Sequence, residues 1–329
     1  MNALKATWIS ILFCSTSFAT SFKPAVIYDT AGKFDKSFNE AVYKGGVQPL
    51  VEKHGVKVRE VAPKSETQIE SGLTKLAKRG YQPIVAVGFS MRPHVEKVAK
   101  AFPDIQFTII DAKIDLPNVQ SILFKEHEGS FLVGALAALS SKSNKIGFIG
   151  GMDLPMIHKF ACGYRQGAMH IKPDIALSQA MTGNTPMAFN DPAKGATLAK
   201  AQIQEGVDVI FAAAGSTGIG VYAAAKQGGI YAIGVDSNQN FMQPGTMLTS
   251  MLKKVGVATL QTWLEAQQGK WQAGVKVKGL KEDGVGWALD EHNRPLVSEA
   301  METQINGLKD KIISGEIKVH DYTENNECP

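Results

Sequence analysis

Short apolar runs alternate with amphipathic stretches along most of the chain. Runs of Val, Ile, Ala and Phe bounded by Gly, Asp or Pro predict strands at "PAVIYD", "VKVREV", "PIVAVG" and "IQFTIID". Stretches with helical spacing separate them: "KSFNEAVYKGGVQPLVEKH", which Pro49 complicates, then "SETQIESGLTKLAKRG" and "RPHVEKVAKAF". Ser65 and Gln68 have capping-box spacing, and Gly80 marks the stop of that helix. The order is β-α-β-α-β-α-β. Fully apolar strands are those of a parallel sheet covered on both faces.

The pattern then restarts. "EGSFLVGALAALSSK" predicts a helix and "KIGFIGGMD" a strand. "HKFACGYRQGAMHI", "DPAKGATLAKAQIQEG" and "TGIGVYAAAKQGG" predict helices, interleaved with strands at "IALSQAM", "VDVIFAAAG" and "YAIGVD". After "GTMLTSML" come the helix "KVGVATLQTWLEAQQG" and a less regular tail ending in the helical "SEAMETQINGLKDKIISG". This predicts an α/β protein of two similar lobes, with two open parallel sheets facing each other across a cleft. Ligands of such sheets sit beyond the C-terminal strand ends.

The length of 329 residues suits two domains. The net charge of +4 is mild and spread out, with no basic block of the kind that binds nucleic acid. At the N-terminus, Lys5, the apolar "ATWISILFCSTSFA" and the small-residue site "SFA" form a cleavable secretory signal over residues 1–19. Its apolar run is too short to span a bilayer. Phe13 precedes Cys14 where a small residue would precede a lipidated cysteine, which disfavours a lipid anchor. Cleavage leaves Cys162 and Cys328, free or paired. With no His cluster nearby they do not form a zinc site.

Five strand ends carry candidate chemistry. Asp29 ends the first strand, followed by Phe34, Asp35, Ser37, Phe38 and Asn39. Phe89 and Ser90 follow the third strand, and Asp111 ends the fourth. Gly215, Ser216 and Thr217 form a loop entering a helix, and Asp236 ends "YAIGVD". The glycine loop matches neither nucleotide fingerprint; it is a tight turn or a close ligand contact. One strand-terminal Asp is as easily a cap or turn residue, but three at equivalent positions point to a ligand. Ionised carboxylates only accept hydrogen bonds, so they suit sugars or nucleosides and repel phosphates. Phe34 and Phe38 are either packing residues or stacking faces. The seven scattered histidines are expected at the surface, and Trp263, Trp271 and Trp287 in packing. No H-E-x-x-H, G-x-S-x-G or paired Cys/His nucleophile is present, and spacing alone cannot judge a glycosidase-like carboxylate pair.

"GKFDKSFNEAVYKG" resembles the signature of the basic membrane protein family of ABC-transporter substrate-binding proteins, the purine nucleoside receptor A-like group. "GGMDLPMIHKFACGYRQGA", "DVIFAAAGSTGIGVYAAAKQGGIYAIGVDSNQN" and "PGTMLTSMLKKV" are similar to later segments of that family. The resemblance covers roughly residues 24–264. It implies a type I periplasmic-binding fold, with two Rossmann-like lobes joined by a three-crossover hinge. Residues 20–124 plus about 252–285 would form the N-terminal lobe. Residues 125–251 plus part of the tail would form the C-terminal lobe, with 286–329 a helix and tail packing on both.

The resemblance also implies a receptor that binds a nucleoside, needs no metal or cofactor, and delivers the nucleoside to an inner-membrane permease. The family is mostly known as lipoproteins, so the poor lipidation site here is a departure that fits a soluble periplasmic form, and a monomer is the default expectation. Asp29, Phe38, Asn39 and Asp111 would face the base, with Phe38 stacking. Gly215, Asp236 and Lys253 would face the ribose. Ser90 would join the site, and Phe160, Phe189 or Phe211 would supply a second ring. Gly215-Ser216-Thr217 departs from the family's Gly-Gly-Thr, which leaves the ligand less fixed than the fold. A same-fold receptor for a sugar or another heterocycle, a nucleoside hydrolase and a sensor for a membrane signalling partner stay open.

Overall fold

A computed structural model describes residues 22–329; the expected signal sequence lies outside the described residues. In chain order the elements are β1 (Ala25–Ile27), α1 (Phe38–Val42), α2 (Gln48–His54), β2 (Arg59–Val61), α3 (Glu66–Lys78), β3 (Ile84–Ala86), α4 (Arg92–Ala101), β4 (Phe107–Ile110) and β5 (Val119–Phe124). They continue with α5 (Glu126–Ser140), β6 (Lys145–Met152), α6 (Pro155–Ile171), β7 (Ala176–Gly183), α7 (Pro192–Gln204), β8 (Val209–Ala213), α8 (Gly218–Gly228), β9 (Tyr231–Asp236) and β10 (Met247–Lys253). The last are α9 (Val255–Gln267), β11 (Gly274–Lys278), β12 (Val285–Trp287) and α10 (Glu299–Ser314).

Two six-stranded sheets result, in the orders β11-β5-β4-β3-β1-β2 and β12-β10-β9-β8-β6-β7. Strand for strand the two orders are the same. Every pairing is parallel except β12 against β10. The expected architecture of two α/β lobes with mostly parallel sheets is what the chain forms. Central strands such as β3 and β8 are fully buried, as their unbroken apolar runs require.

Three short segments carry the chain between the sheets: Lys125 after β5, Lys254 after β10, and 279–284 between β11 and β12. They lie side by side. Lys125 N donates to Lys278 O (2.9 Å), Lys254 N to Gly284 O (2.8 Å) and Leu280 N to Glu128 Oε2 (2.7 Å). These bonds tie the hinge strands into one bundle.

Several local expectations are corrected. The first helical pattern is one continuous run in which a π-helical turn, Tyr43–Val47, joins α1 to α2. A proline ring clashes with the carbonyl four residues back, and the wider turn just before Pro49 makes room for it. Ser65 stands at the N-cap of α3, but its side chain makes no cap bond. Gln68 Oε1 instead accepts from Lys64 N at 2.9 Å. His127 is buried rather than at the surface, because α5 is enclosed on nearly all sides. Strands β5, β11 and β12 had no counterpart in the sequence reading. Cys162 and Cys328 form a disulfide with a Cα–Cα distance of 5.5 Å. The tail also docks on α6 where Gln166 exchanges bonds with both backbone groups of His320.

Candidate ligand-binding site

The C-terminal strand ends of the two sheets meet around a cavity with about 620 Å³ of space free of protein atoms, part of it open to solvent. The lobes are closed on each other. Ser37 Oγ donates to Asp236 Oδ2 (2.5 Å), and Gln239 Nε2 donates to Lys36 O (2.8 Å). Lys253 at the end of β10 donates to Asp111 Oδ2 across the cleft (2.6 Å).

The loop after β1 builds one wall. Asp29 Oδ1 accepts from Ala31 N (2.9 Å) and Asn39 Nδ2 (2.6 Å). Asp35 receives the backbone N–H groups of Ser37, Asn39 and Glu40, which caps the start of α1 and so aims Phe38 at the cavity. Burial pushes Asp29 up to about 6 even though Asn39 and Ala31 favour its charge. Asn39 does not line the cavity. It is fully buried, its amide donates to Asp29 and Asp35, and its Oδ1 accepts from Asp29 N (3.3 Å). It orients the aspartates from behind, a correction to its expected ligand contact. Phe34 is 64% exposed and packs edge-on against Tyr43 outside the cleft.

The next strands repeat one device in each sheet. Gly88 after β3 and Gly215 after β8 have φ of +104° and +57°. Asp111 after β4 and Asp236 at the end of β9 have φ of +68° and +66°. Aspartate is among the few side chains that enter this left-handed region readily. The turn brings all four residues to the cavity, where Phe89 and Ser90 also sit. Burial pushes Asp236 up to about 7, against the pull of Lys253 and Ser37. Asp111 Oδ1 is buried and has no hydrogen-bond partner among the described residues.

The opposite wall is apolar. Met156, Ile157 and Phe160 on the first turns of α6 line it with Phe189, Ala213 and Val235. A Cβ on Gly151 would fall 2.1 Å from Phe189 Cε1, so only glycine there lets this ring pack against β6. Ser216 and Thr217 do not line the cavity. Ser216 Oγ bonds Phe189 O and Asn190 Oδ1, and Thr217 Oγ1 donates to Ala188 O, so together they fasten the segment that carries Phe189. Phe211 lies in the core against Phe148 and Tyr164, away from the cavity.

The structure thus brings together Asp29, Phe38, Ser90, Asp111, Phe160, Phe189, Gly215, Asp236 and Lys253. The sequence reading missed Met156, Ile157 and, behind Lys253, Glu126. Met156 and Ile157 share a helix face with Phe160 at helical spacing, a signal that was present. Burial disfavours the Lys253 charge, but Asp111, Glu126 and Asp236 overcome this and hold its ammonium above the usual lysine range.

Among the described residues, no cluster of three or more His, Cys, Asp or Glu is arranged to hold a metal ion, and no helix is long and apolar enough to cross a membrane. The chain matches the Bmp family model, described as ABC transporter substrate-binding protein PnrA-like, over residues 22–323. It is 33% identical over 320 residues to the CD4+ T-cell-stimulating antigen of Listeria monocytogenes, covering 91% of this chain and 88% of that protein. It is 31% identical over 323 residues to the ABC transporter nucleoside-binding protein BmpA of Lactococcus lactis, covering 91% and 89%. A solved ABC transporter solute-binding protein from Aeropyrum pernix shares the fold with a TM-score of 0.82 at 30% identity, over 93% of this chain and 95% of that one. With its two-lobed fold and the match over nearly all described residues, the chain belongs to the PnrA-like family of ABC-transporter substrate-binding proteins.

Proposed function

We propose that this substrate-binding protein is a periplasmic receptor for nucleosides, purine nucleosides above all, and that it delivers them to the permease of an ABC importer. The observation that carries this reading is Asp111. Its Oδ1 is a buried acceptor with no partner among the described residues, in a cavity that also holds the rings of Phe38, Phe160 and Phe189. A buried acceptor left unpaired costs about 1–3 kcal/mol, which a ligand N–H would recover. A planar heterocycle supplies that donor and a face for a ring to stack on. Asp29 and Asp236 suit further N–H and O–H donors, and Lys253 suits a ribose oxygen. The name of the Lactococcus relative points the same way.

Binding and closure form one equilibrium. The open form admits the ligand, which bridges Asp29, Phe38 and Asp111 on one lobe and Gly215 and Asp236 on the other. Ser37–Asp236 and Lys253–Asp111 are contacts between lobes, so they belong to the closed form that the ligand selects. The permease reads that form. The buried carboxylates exclude a phosphate ester from the cavity.

A thermal-shift screen of the mature protein against nucleosides, free bases, nucleotides and sugars tests this. A ligand at a hundred times its Kd stabilises the fold by about 2.7 kcal/mol. Shifts with inosine, guanosine or adenosine, and none with ribose or with the 5′-phosphates, are expected. A shift with sugars alone would replace the nucleoside by a sugar.

A further inference from the structure

Charged groups extend beyond the cavity wall. Lys253, 2% exposed, has its Nζ 2.6 Å from Asp111 Oδ2 and 2.8 Å from Glu126 Oε1. The second oxygen, Glu126 Oε2, lies 2.9 Å from Nζ of Lys159 on α6. Lys159 also donates to Phe124 O (2.9 Å) and lies 3.4 Å from Asp321 Oδ2 in the C-terminal tail. The signs alternate: Asp111, Lys253, Glu126, Lys159, Asp321. Glu126 is the middle member. It opens α5 directly after the first crossover, where the helix N-terminus favours a carboxylate.

Burying such a chain is a poor route to stability, because desolvating each charge offsets most of the attraction it gains. A reason for it stands at its inner end. An ammonium has three N–H donors. Lys253 lines the cavity, and its two carboxylate contacts leave one donor for a ligand. With an uncharged residue in place of Glu126, the Lys253 and Lys159 ammonium groups would face each other with no anion between them.

We propose that Glu126 is a positioning residue for solute binding: it fixes the Lys253 ammonium, charged and immobile, in the cavity wall, and Lys159 in turn holds Glu126. Glu126 thereby holds the Lys253 ammonium before the ligand arrives, and Asp111 joins it on closure, which lowers the ordering cost of binding. The inference rests on the nucleoside reading only for the choice of probe.

Two measurements test it. The first needs no ligand. In protein labelled with ¹⁵N-lysine, ammonium cross-peaks survive at neutral pH only where burial and hydrogen bonding slow proton exchange. The peaks of Lys253 and Lys159 are assigned by their loss in Lys253→Met and Lys159→Met. Glu126→Gln should abolish or strongly shift the Lys253 peak, and Lys159→Met should shift it less. A Lys253 peak unmoved by Glu126→Gln overturns the proposal. The second is calorimetric binding of inosine. Glu126→Gln should weaken binding about tenfold or more, as for a lost charged hydrogen bond, and less than about twofold in a Lys253→Met background. Equal losses in the two backgrounds would make Glu126 a hinge support only, and overturn the positioning role. If Glu126→Gln does not fold, Lys159→Met carries both measurements, since it breaks the chain one member further out. If the unmodified protein binds no nucleoside, the nucleoside reading fails, and the ligand-free spectrum alone decides the role of Glu126.

Discussion

In the first lobe β1 runs out into Asp29, which faces the cavity; in the second, the matching strand β6 runs out into Asp153, which instead pairs with His158 near the surface (2.7 Å). Two strands further across each sheet the lobes agree again, with Asp111 and Asp236 in the same left-handed turn. A repeated backbone therefore fixes where a cavity residue stands but not what it is. The first lobe offers three aspartates, Asp29, Asp35 and Asp111. The second offers mostly apolar surface from α6 and the Phe189 segment, interrupted by Asp236 and Lys253. One wall presents carboxylate acceptors to the cavity, and the other presents mostly apolar side chains.

The strongest way to break this division is at Lys253, the cation among the described lining residues. Lys253→Met leaves Asp111 and Glu126 without their shared partner and should destabilise the fold by about 3–5 kcal/mol in urea unfolding. Adding Asp111→Asn should restore part of that loss. A loss under about 1 kcal/mol would mean that the ionic tie between the lobes carries no weight.

Next comes the polar wall itself. Asp111→Asn keeps a side chain that tolerates the left-handed backbone but removes the anion. Purine-nucleoside binding should weaken by about 1–3 kcal/mol in calorimetry. Unchanged affinity would show that the unpartnered oxygen does not meet the ligand.

A pH series compares the aspartates of the two lobes. An acid raised on folding takes up protons as the chain folds. Asp29 and Asp236 therefore favour the unliganded fold at low pH, and that contribution is lost as pH rises through about 6 and about 7. Ligand hydroxyls need the ionised carboxylate, so affinity runs the other way. It should fall about tenfold or more between pH 7.5 and 5.5, and Asp236→Asn should flatten the upper part of that curve.

The smallest effects sharpen the apolar wall. Phe160 is 3% exposed, with its ring against Phe211, whereas Phe189 is only half-buried at the cavity edge. A ring with a free face is the one a ligand can cover. Phe189→Leu should therefore weaken nucleoside binding by about 0.5–1.5 kcal/mol, and Phe160→Leu should act chiefly on stability. The reverse ranking would make Phe160 the stacking partner.

Strands with unbroken apolar runs were legible from the sequence because burial on both faces leaves no other pattern. β5 was not, because Gln120 and Ser121 lie inside it. Both are fully buried and satisfied by distant groups: Gln120 by Thr262 and Gln272 O, and Ser121 by Ile114. β11, "GVKVK", is a half-exposed edge with alternating lysines, and β12, "VGW", has a glycine at its centre, so neither shows an unbroken apolar run. At the cleft, the aspartates at strand ends were legible because position and chemistry coincide there. Glu126 was not, because its partners Lys159 and Lys253 are far along the chain and it opens a helix that otherwise reads as apolar. That Asn39 faces the ligand is what the family resemblance implies; a sequence does not say which side of a loop a side chain takes, and here Asn39 turns to Asp29 and Asp35.

The Cys162–Cys328 bond has a mechanical consequence. It joins residues 166 apart into a covalent ring that contains most of the second lobe and the two return crossovers. A force applied at the two ends of the chain would therefore bypass that half of the molecule. The chain before Cys162, with β1 to β6, could be drawn out into an extended thread, while the ring stayed off the load path until a reductant opened it.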